Sequence, residues 1–121
     1  MTSGSYTLRG GKLGSCKVEV RLEHPNLKGK IEIANPSIPG EVEWTDSWRF
    51  GVAYAVEKAA KLRPGLIGEG LRVIPMNIAT HDPDGTSFAV AFATIFSVWD
   101  ALKFVSPNPP RIEKGAFIFS E

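Results

Sequence analysis

The segment 81–87 is the densest group of side chains that could carry chemistry. Its sequence, His-Asp-Pro-Asp-Gly-Thr-Ser, places one imidazole, His81, beside the two carboxylates Asp82 and Asp84. A histidine with an orienting acid can act as a general base, and carboxylates are ligands for hard metal ions. Turn chemistry explains the same residue types, and the spacing matches no zinc or calcium loop. We therefore assign no catalytic residue and no metal site, and keep these three residues as candidates.

The end of the same segment offers a second kind of site. If a helix follows it, the backbone amides of Gly85, Thr86 and Ser87 form the start of that helix and could bind an anion. Ordinary helix capping is the alternative, because every exposed helix start presents such amides. These three residues are the candidates for ligand or anion binding.

Two tryptophans and an arginine near residue 46 indicate a third site. An arginine beside an exposed aromatic ring can bind a nucleobase or a partner protein. Trp48 fits the apolar stripe of a helix, which favours core packing for that ring. Trp44 and Arg49 are therefore the candidates for partner binding.

Composition narrows the classes of function. The chain has 121 residues, of which 43% are hydrophobic and 22% charged, as in an ordinary globular domain. Its net charge is +1, from 14 basic and 13 acidic residues, which argues against a protein that mainly grips nucleic acid backbone. Cys16 is the only cysteine, so no internal disulfide can form and a cytoplasmic location is expected. The longest charge-free stretch is shorter than the ~20 residues of a membrane span, so no membrane contact is expected.

Alternating residues predict two strands in the first third of the chain. Residues 16–24 and 30–33 place apolar side chains on one face and charged side chains on the other, where cross-strand ion pairs are expected. Pro, Asn and Gly between them predict a β-hairpin with Ile31 and Ile33 facing inward. Residues 1–14 show no clear period and are interpreted as a polar lead-in to a single domain at 15–121.

The middle of the chain predicts a helix and then a strand. Apolar residues at helical spacing predict a helix at about 46–62, capped by Thr45 or Asp46. Residues 71–80 are apolar on both faces, which is typical of a buried strand. Pro75 cannot donate a hydrogen bond to a neighbouring strand, so the strand is expected to be an edge or bulged there.

Residues 87–104 fit two patterns. Phe88, Phe92, Ile95, Trp99 and Leu102 follow a helical stripe, whereas alternate residues near Phe88 also fit a strand after a turn. A strand would run well past the usual ~5–6 residues, which favours the helix. Residues 116–119 are expected to close the sheet as a last short strand.

This order of elements predicts an α+β fold, a split β-α-β two-layer sandwich with two helices on one face of an antiparallel or mixed sheet. Within residues 48–103, three segments follow one another: Gly51-Val52-x-x-Ala55, then Gly70-Leu71-Arg72-Val73, then the run from His81 to a long apolar helix. In this order they resemble domain IV of elongation factor G and its wider split β-α-β superfamily. The chain lacks the phosphate loop of a GTPase domain.

Three functions remain open. The resemblance implies a non-catalytic binding domain without a cofactor, whose partner is the ribosome, RNA or another protein. The first alternative is a small enzyme that uses His81 with Asp82 or Asp84. The second is a structural module that associates with copies of itself as a homo-oligomer.

Overall fold

The computed structural model describes residues 2–9, 14–80 and 86–119. Its elements, in chain order, are β1 Thr2–Arg9, β2 Ser15–Glu23, β3 Lys30–Ile33, α1 Thr45–Leu62, β4 Gly70–Thr80, α2 Thr86–Leu102, β5 Arg111–Glu113 and β6 Ala116–Ile118. Four of these strands form one mixed sheet in the order β1-β2-β4-β3, and β5 pairs with β6 separately. The predicted α+β two-layer fold is confirmed.

The pairing of β3 differs from the prediction. β2 is antiparallel to β4, and β3 is parallel to β4, so β4 lies between the two strands expected to form a hairpin. The turn between β2 and β3 is bonded to the start of β4 instead, because the amides of Leu27 and Gly29 donate to the carbonyl of Glu69 at 3.0 and 2.8 Å. At the open edge of the sheet, Ile31 is exposed and not inward, while Ile33 is half-buried.

The interpretation of residues 1–14 as a lead-in is wrong for residues 2–9. These residues form β1, which pairs with β2 along its whole length. Gly4, Tyr6 and Leu8 face α2, and Leu8 is buried. A Cβ added to Gly4 would meet the backbone of Ser97 and Ala101, so the glycine allows α2 to lie directly against the strand. The sequence gives little sign of this strand because its remaining residues are polar, and most of them are Ser or Thr.

Helix α1 follows the predicted stripe. Trp48, Val52, Ala55, Val56 and Ala59 are all buried. The indole N–H of Trp48 donates to the carbonyl oxygen of Ala34 at 2.8 Å, which ties the helix to the segment after β3. The predicted cap is wrong, because no side chain caps the helix. The hydroxyl of Thr45 donates backwards to the carbonyl of Val42.

Helix α2 confirms the helical interpretation of residues 87–104. It packs against α1, β1 and β2, and it is buried on most sides. This explains why its sequence fitted two patterns, since apolar residues are needed around most of its circumference. The indole of Trp99 donates to the carbonyl of Ala55 at 2.9 Å and so joins the two helices.

Both expectations for Pro75 are confirmed. Glu19 pairs with Asn77 and Val20 with Pro75, so Met76 has no partner in β2 and forms a bulge. Pairing with β3 ends at Val73, which leaves Pro75 on an edge.

The expected last strand exists but does not close the sheet. β6 pairs only with β5 in a two-stranded ribbon. Phe117 and Phe119 contact the ring of Phe92, with ring centres 5.3 and 6.4 Å away. The ribbon thereby covers apolar surface of α2 that the sheet does not reach.

Cys16 is buried in β2, and its thiol donates to the carbonyl of Ala89 at 3.2 Å. Burial raises the pKa of Cys16 from 9.0 to about 12. Between these values the unfolded thiol ionises while the folded one stays protonated, so stability falls as pH rises. We expect the loss to reach about 1.4 kcal/mol per pH unit.

A comparison of wild type with Cys16→Ala in urea, at about pH 8 and about pH 10, isolates this loss from the titration of other groups. The stability of the wild type relative to the variant should fall as pH rises. A parallel decline in both proteins would show that Cys16 does not cause it.

Candidate functional site

The two helices begin at the same end of the domain. Asp46 and Ser47 of α1 line one cleft of about 230 Å³ together with Ser87 and Phe88 of α2. Gly51 lets the helices approach, because an added Cβ would lie 2.7 Å from the Cβ of Thr94. The start of α2 predicted as an anion site is therefore next to the start of α1.

The structure describes only part of the segment predicted to carry chemistry. Ser87 is exposed in the first turn of α2, and Thr86 begins that helix. The candidates that lie outside the described residues are His81, Asp82, Asp84 and Gly85. Catalysis and anion binding at this segment stay predictions. Within residues 2–9, 14–80 and 86–119, no group of three His, Cys, Asp or Glu side chains could hold a metal ion.

The two candidates for partner binding both have contacts within the domain. The guanidinium of Arg49 donates to the carbonyl of Ile33 at 3.1 Å and to Oδ1 of Asn35 at 2.8 Å. Trp44 is half-buried against the core, and its buried indole N–H finds no acceptor among the described residues. Arg49 thus joins α1 to the segment around residues 33–35, and the role of both residues towards a partner stays a prediction.

A group of aromatic rings that we call the aromatic surface lies beside the shared helix starts. It consists of Phe50, Tyr54, Phe88 and Phe119. Phe88 is 63% exposed and Phe50 is 49% exposed. The ring centre of Phe119 lies 5.7 Å from that of Phe50, 6.1 Å from Tyr54 and 6.4 Å from Phe88. Phe88 is therefore the one member of the predicted helical stripe that lies largely in solvent.

An open groove of about 790 Å³ continues this surface along α1. Phe50, Tyr54 and Phe119 line it together with Glu57, Lys58 and Lys61. The ammonium of Lys58 lies 5.6 Å from the ring centre of Tyr54. We call this feature the α1 groove. It offers ring surface for stacking and two ammonium groups for an anion.

The sequence contains a signal for the α1 groove that a search for buried stripes overlooks. Phe50, Tyr54, Lys58 and Lys61 are spaced four, four and three residues apart, which places them on one side of a helix. From the sequence alone, an aromatic residue on the solvent side of a helix cannot be distinguished from a core residue, because the neighbours of the helix are not known. The position of Phe119 depends on the C-terminal ribbon, and no pattern in the neighbouring sequence predicts that this ring reaches α1.

The opposite face of the molecule carries balanced charge. Arg72 contacts Glu32 at 2.7 Å and Glu23 at 3.2 Å, and Arg21 contacts Glu23 at 3.5 Å. The two contacts of Arg72 are cross-strand ion pairs, but they join β4 to β2 and β3, whereas the expected pairs were between β2 and β3. Exposed pairs of this kind add only about 0–1 kcal/mol each. This face has no unbalanced basic patch among the residues named, so the α1 groove is the better candidate for an anionic partner.

Neither helix in the described part of the chain is long and apolar enough to cross a membrane.

No protein-family profile matches the chain, and no curated protein matches it. A crystal structure of a protein from Thermus thermophilus is similar, with a TM-score of 0.52 and 23% identity, over 78% of this chain. The matched region is 14% of the length of that protein. The likeness shows the fold alone: this chain shares its two-layer α+β fold with one part of a larger protein from Thermus thermophilus.

Proposed function

We propose that this chain is a non-catalytic binding domain for single-stranded RNA, with ribosomal RNA as the natural partner. The observation that carries the proposal is the α1 groove, where the exposed ring of Phe50, the half-buried ring of Tyr54 and two lysines lie on one side of a helix. The resemblance of residues 48–103 to domain IV of elongation factor G supports the same partner. The cytoplasm is the corresponding location.

The chemistry of the groove suits unpaired bases better than a duplex. A base that stacks on an aromatic ring contributes about 1–3 kcal/mol, whatever its identity. Phe50 and Phe88 are the most exposed rings of the aromatic surface, so they are the first stacking positions. Lys58 and Lys61 lie in the same groove as Phe50, where they can contact phosphates. In a duplex, the base faces are already stacked and cannot reach these rings.

The near-neutral net charge fits this mode of binding. Two phosphate contacts predict a slope of about −1.4 for the logarithm of affinity against the logarithm of salt concentration. A protein that grips the backbone with many basic residues has a much steeper slope. Stacking, which salt affects little, would supply most of the affinity.

The test is the affinity for a fluorescent single-stranded RNA, measured by anisotropy at low salt. We expect Phe50→Ala to weaken binding about tenfold, since one stacked base is lost. The double variant Lys58→Ala with Lys61→Ala should weaken binding to a similar extent and flatten the salt dependence. Lys17→Ala is the matched control, because Lys17 is an exposed lysine on the charged face of the sheet. Its affinity should equal that of the wild type.

Two results would contradict the proposal. One is the absence of binding to both single-stranded RNA and ribosomal particles at low salt. The other is an equal loss of affinity in Lys17→Ala, which would indicate general attraction and not a site. Circular dichroism spectra that match the wild type are needed for every variant, so that a lost fold is not mistaken for a lost site.

A further inference from the structure

A second pocket, of about 320 Å³, opens where β1 meets the C-terminal end of α2. It shares no lining residue with the α1 groove or with the cleft between the helix starts. We call it the Asp100 pocket. Four aromatic residues line it: Tyr6, Phe96, Trp99 and Phe104. Such a concentration of rings around one opening is the first reason to expect a specific ligand.

The rings stand at varied angles to one another. Phe96 and Trp99 have ring centres 5.5 Å apart and planes at 82°. Trp99 and Phe104 are 5.7 Å apart with planes at 59°. Tyr6 lies against Phe96 at 5.0 Å with planes only 26° apart. Tyr6 and Phe96 are half-buried, whereas Trp99 and Phe104 are at most 6% exposed, so Tyr6 and Phe96 supply most of the aromatic surface at the opening.

Asp100 supplies the single charge among the described residues that line the pocket. The other non-aromatic lining residues are neutral: Ser5, Val105, Ser106 and Pro109. The carboxylate is held in place because its Oδ2 accepts the backbone N–H of Ser5 at 3.0 Å. Burial, and secondly Cys16, raise the pKa of Tyr6, so its phenol adds no charge at neutral pH. The pocket therefore combines aromatic side chains with one fixed negative charge.

We propose that the Asp100 pocket binds an alkylammonium group. The face of an aromatic ring is negative, so it attracts a cation, and methylated ammonium ions are recognised by sets of such rings. The carboxylate adds attraction of the same sign. An anion would be repelled by both features, and a neutral apolar ligand would make no use of the carboxylate. The proposal is independent of RNA binding.

The test uses the full chain, labelled for NMR, and three small probes. Choline carries a quaternary ammonium, and its neutral isostere has carbon in place of the nitrogen, so the pair differs in charge and not in shape. Butylammonium represents the end of a lysine side chain. We expect choline to shift the amide signals of Tyr6 and Phe96 and to bind at least about fivefold more tightly than its isostere. Tighter binding of butylammonium than of choline would indicate a primary ammonium such as that of a lysine side chain, and the reverse a quaternary ammonium.

Asp100→Asn separates the charge from the fold. The amide oxygen of asparagine can still accept the N–H of Ser5, while the negative charge is lost. Affinity for choline should fall about fivefold, towards that of the isostere. Phe96→Leu removes one ring face and should also weaken choline binding. Glu57→Gln, which removes a carboxylate from the α1 groove, is the control and should bind choline like the wild type.

Equal affinity for choline and its neutral isostere would overturn the proposal. Wild-type affinity in Asp100→Asn would also overturn it, because the carboxylate would then contribute nothing.

Discussion

Replacement of Trp48 by alanine is expected to lower the free energy of unfolding by about 3–5 kcal/mol. The side chain of Trp48 is fully buried, so its removal leaves a large cavity in the core beside α1. Its indole N–H also donates to the carbonyl of Ala34 at 2.8 Å, and that acceptor would lose its partner. Native domains have a total stability of about 5–15 kcal/mol, so the variant should lose a large fraction of it.

Urea denaturation followed by circular dichroism measures the loss. Trp48→Phe separates the two causes, because phenylalanine fills much of the cavity and cannot donate to Ala34. It should cost about 1–3 kcal/mol, the penalty for leaving the partly buried carbonyl of Ala34 without a partner. A loss below about 1 kcal/mol for Trp48→Ala would show that this ring does not hold α1 against the core.

The second large effect is expected at Gly4. Gly4→Ala should lower the free energy of unfolding by about 3 kcal/mol, through steric conflict between β1 and α2. The added Cβ would meet the carbonyl oxygen of Ser97 and the amide nitrogen of Ala101. Both atoms belong to the backbone of a buried helix, so they cannot swing aside as the end of a long side chain can. The strand must move away from the helix.

Amide hydrogen exchange locates this effect. Exchange should become faster in β1 before it changes elsewhere, because β1 is an edge strand whose packing on α2 is lost. Gly65→Ala is the matched control, since a Cβ added at Gly65 would meet nothing within 4 Å. It should change stability by no more than about 0.5 kcal/mol. If the two variants behave alike, β1 does not lie against α2, and residues 2–9 would again be interpreted as a polar lead-in.

The candidate site shows why function was harder to predict than fold. The residue types of segment 81–87 predicted a site before the second helix. In the structure, the start of that helix, α2, lies beside the start of α1. The aromatic surface at that end was not predicted. Phe88 and Phe119 belong to different elements and share no sequence motif. They meet because the C-terminal ribbon returns the chain to α2.

The Asp100 pocket had no signal in the sequence either. Tyr6 lies in a segment interpreted as a lead-in, and Phe96 and Trp99 belong to a helix that is apolar on most sides. Only the packing of β1 on α2 brings Asp100 to the backbone of Ser5. Sites built from distant segments are visible only after those segments are in contact.

Elements with a strong local period could be predicted from the order of residues alone. These are α1 and the strand after residue 15, because burial of one face imposes a repeat on neighbouring residues. Helix α2 and the strand after residue 70 are apolar on more than one face, and they were predicted from the length and apolar character of their segments. The irregularity at Pro75 could be predicted because proline has no backbone N–H, and this property does not depend on the residues around it.

Tertiary packing determines which strands are neighbours and which aromatic rings stay exposed. Hydrogen bonds to Glu69 place β4 between β2 and β3, and the small size of Gly4 admits β1 beneath α2. The C-terminal ribbon pairs with itself and packs on α2. Each of these contacts joins atoms that are far apart along the chain. A local pattern predicts which face of a segment is buried, but it does not predict which other segment covers that face.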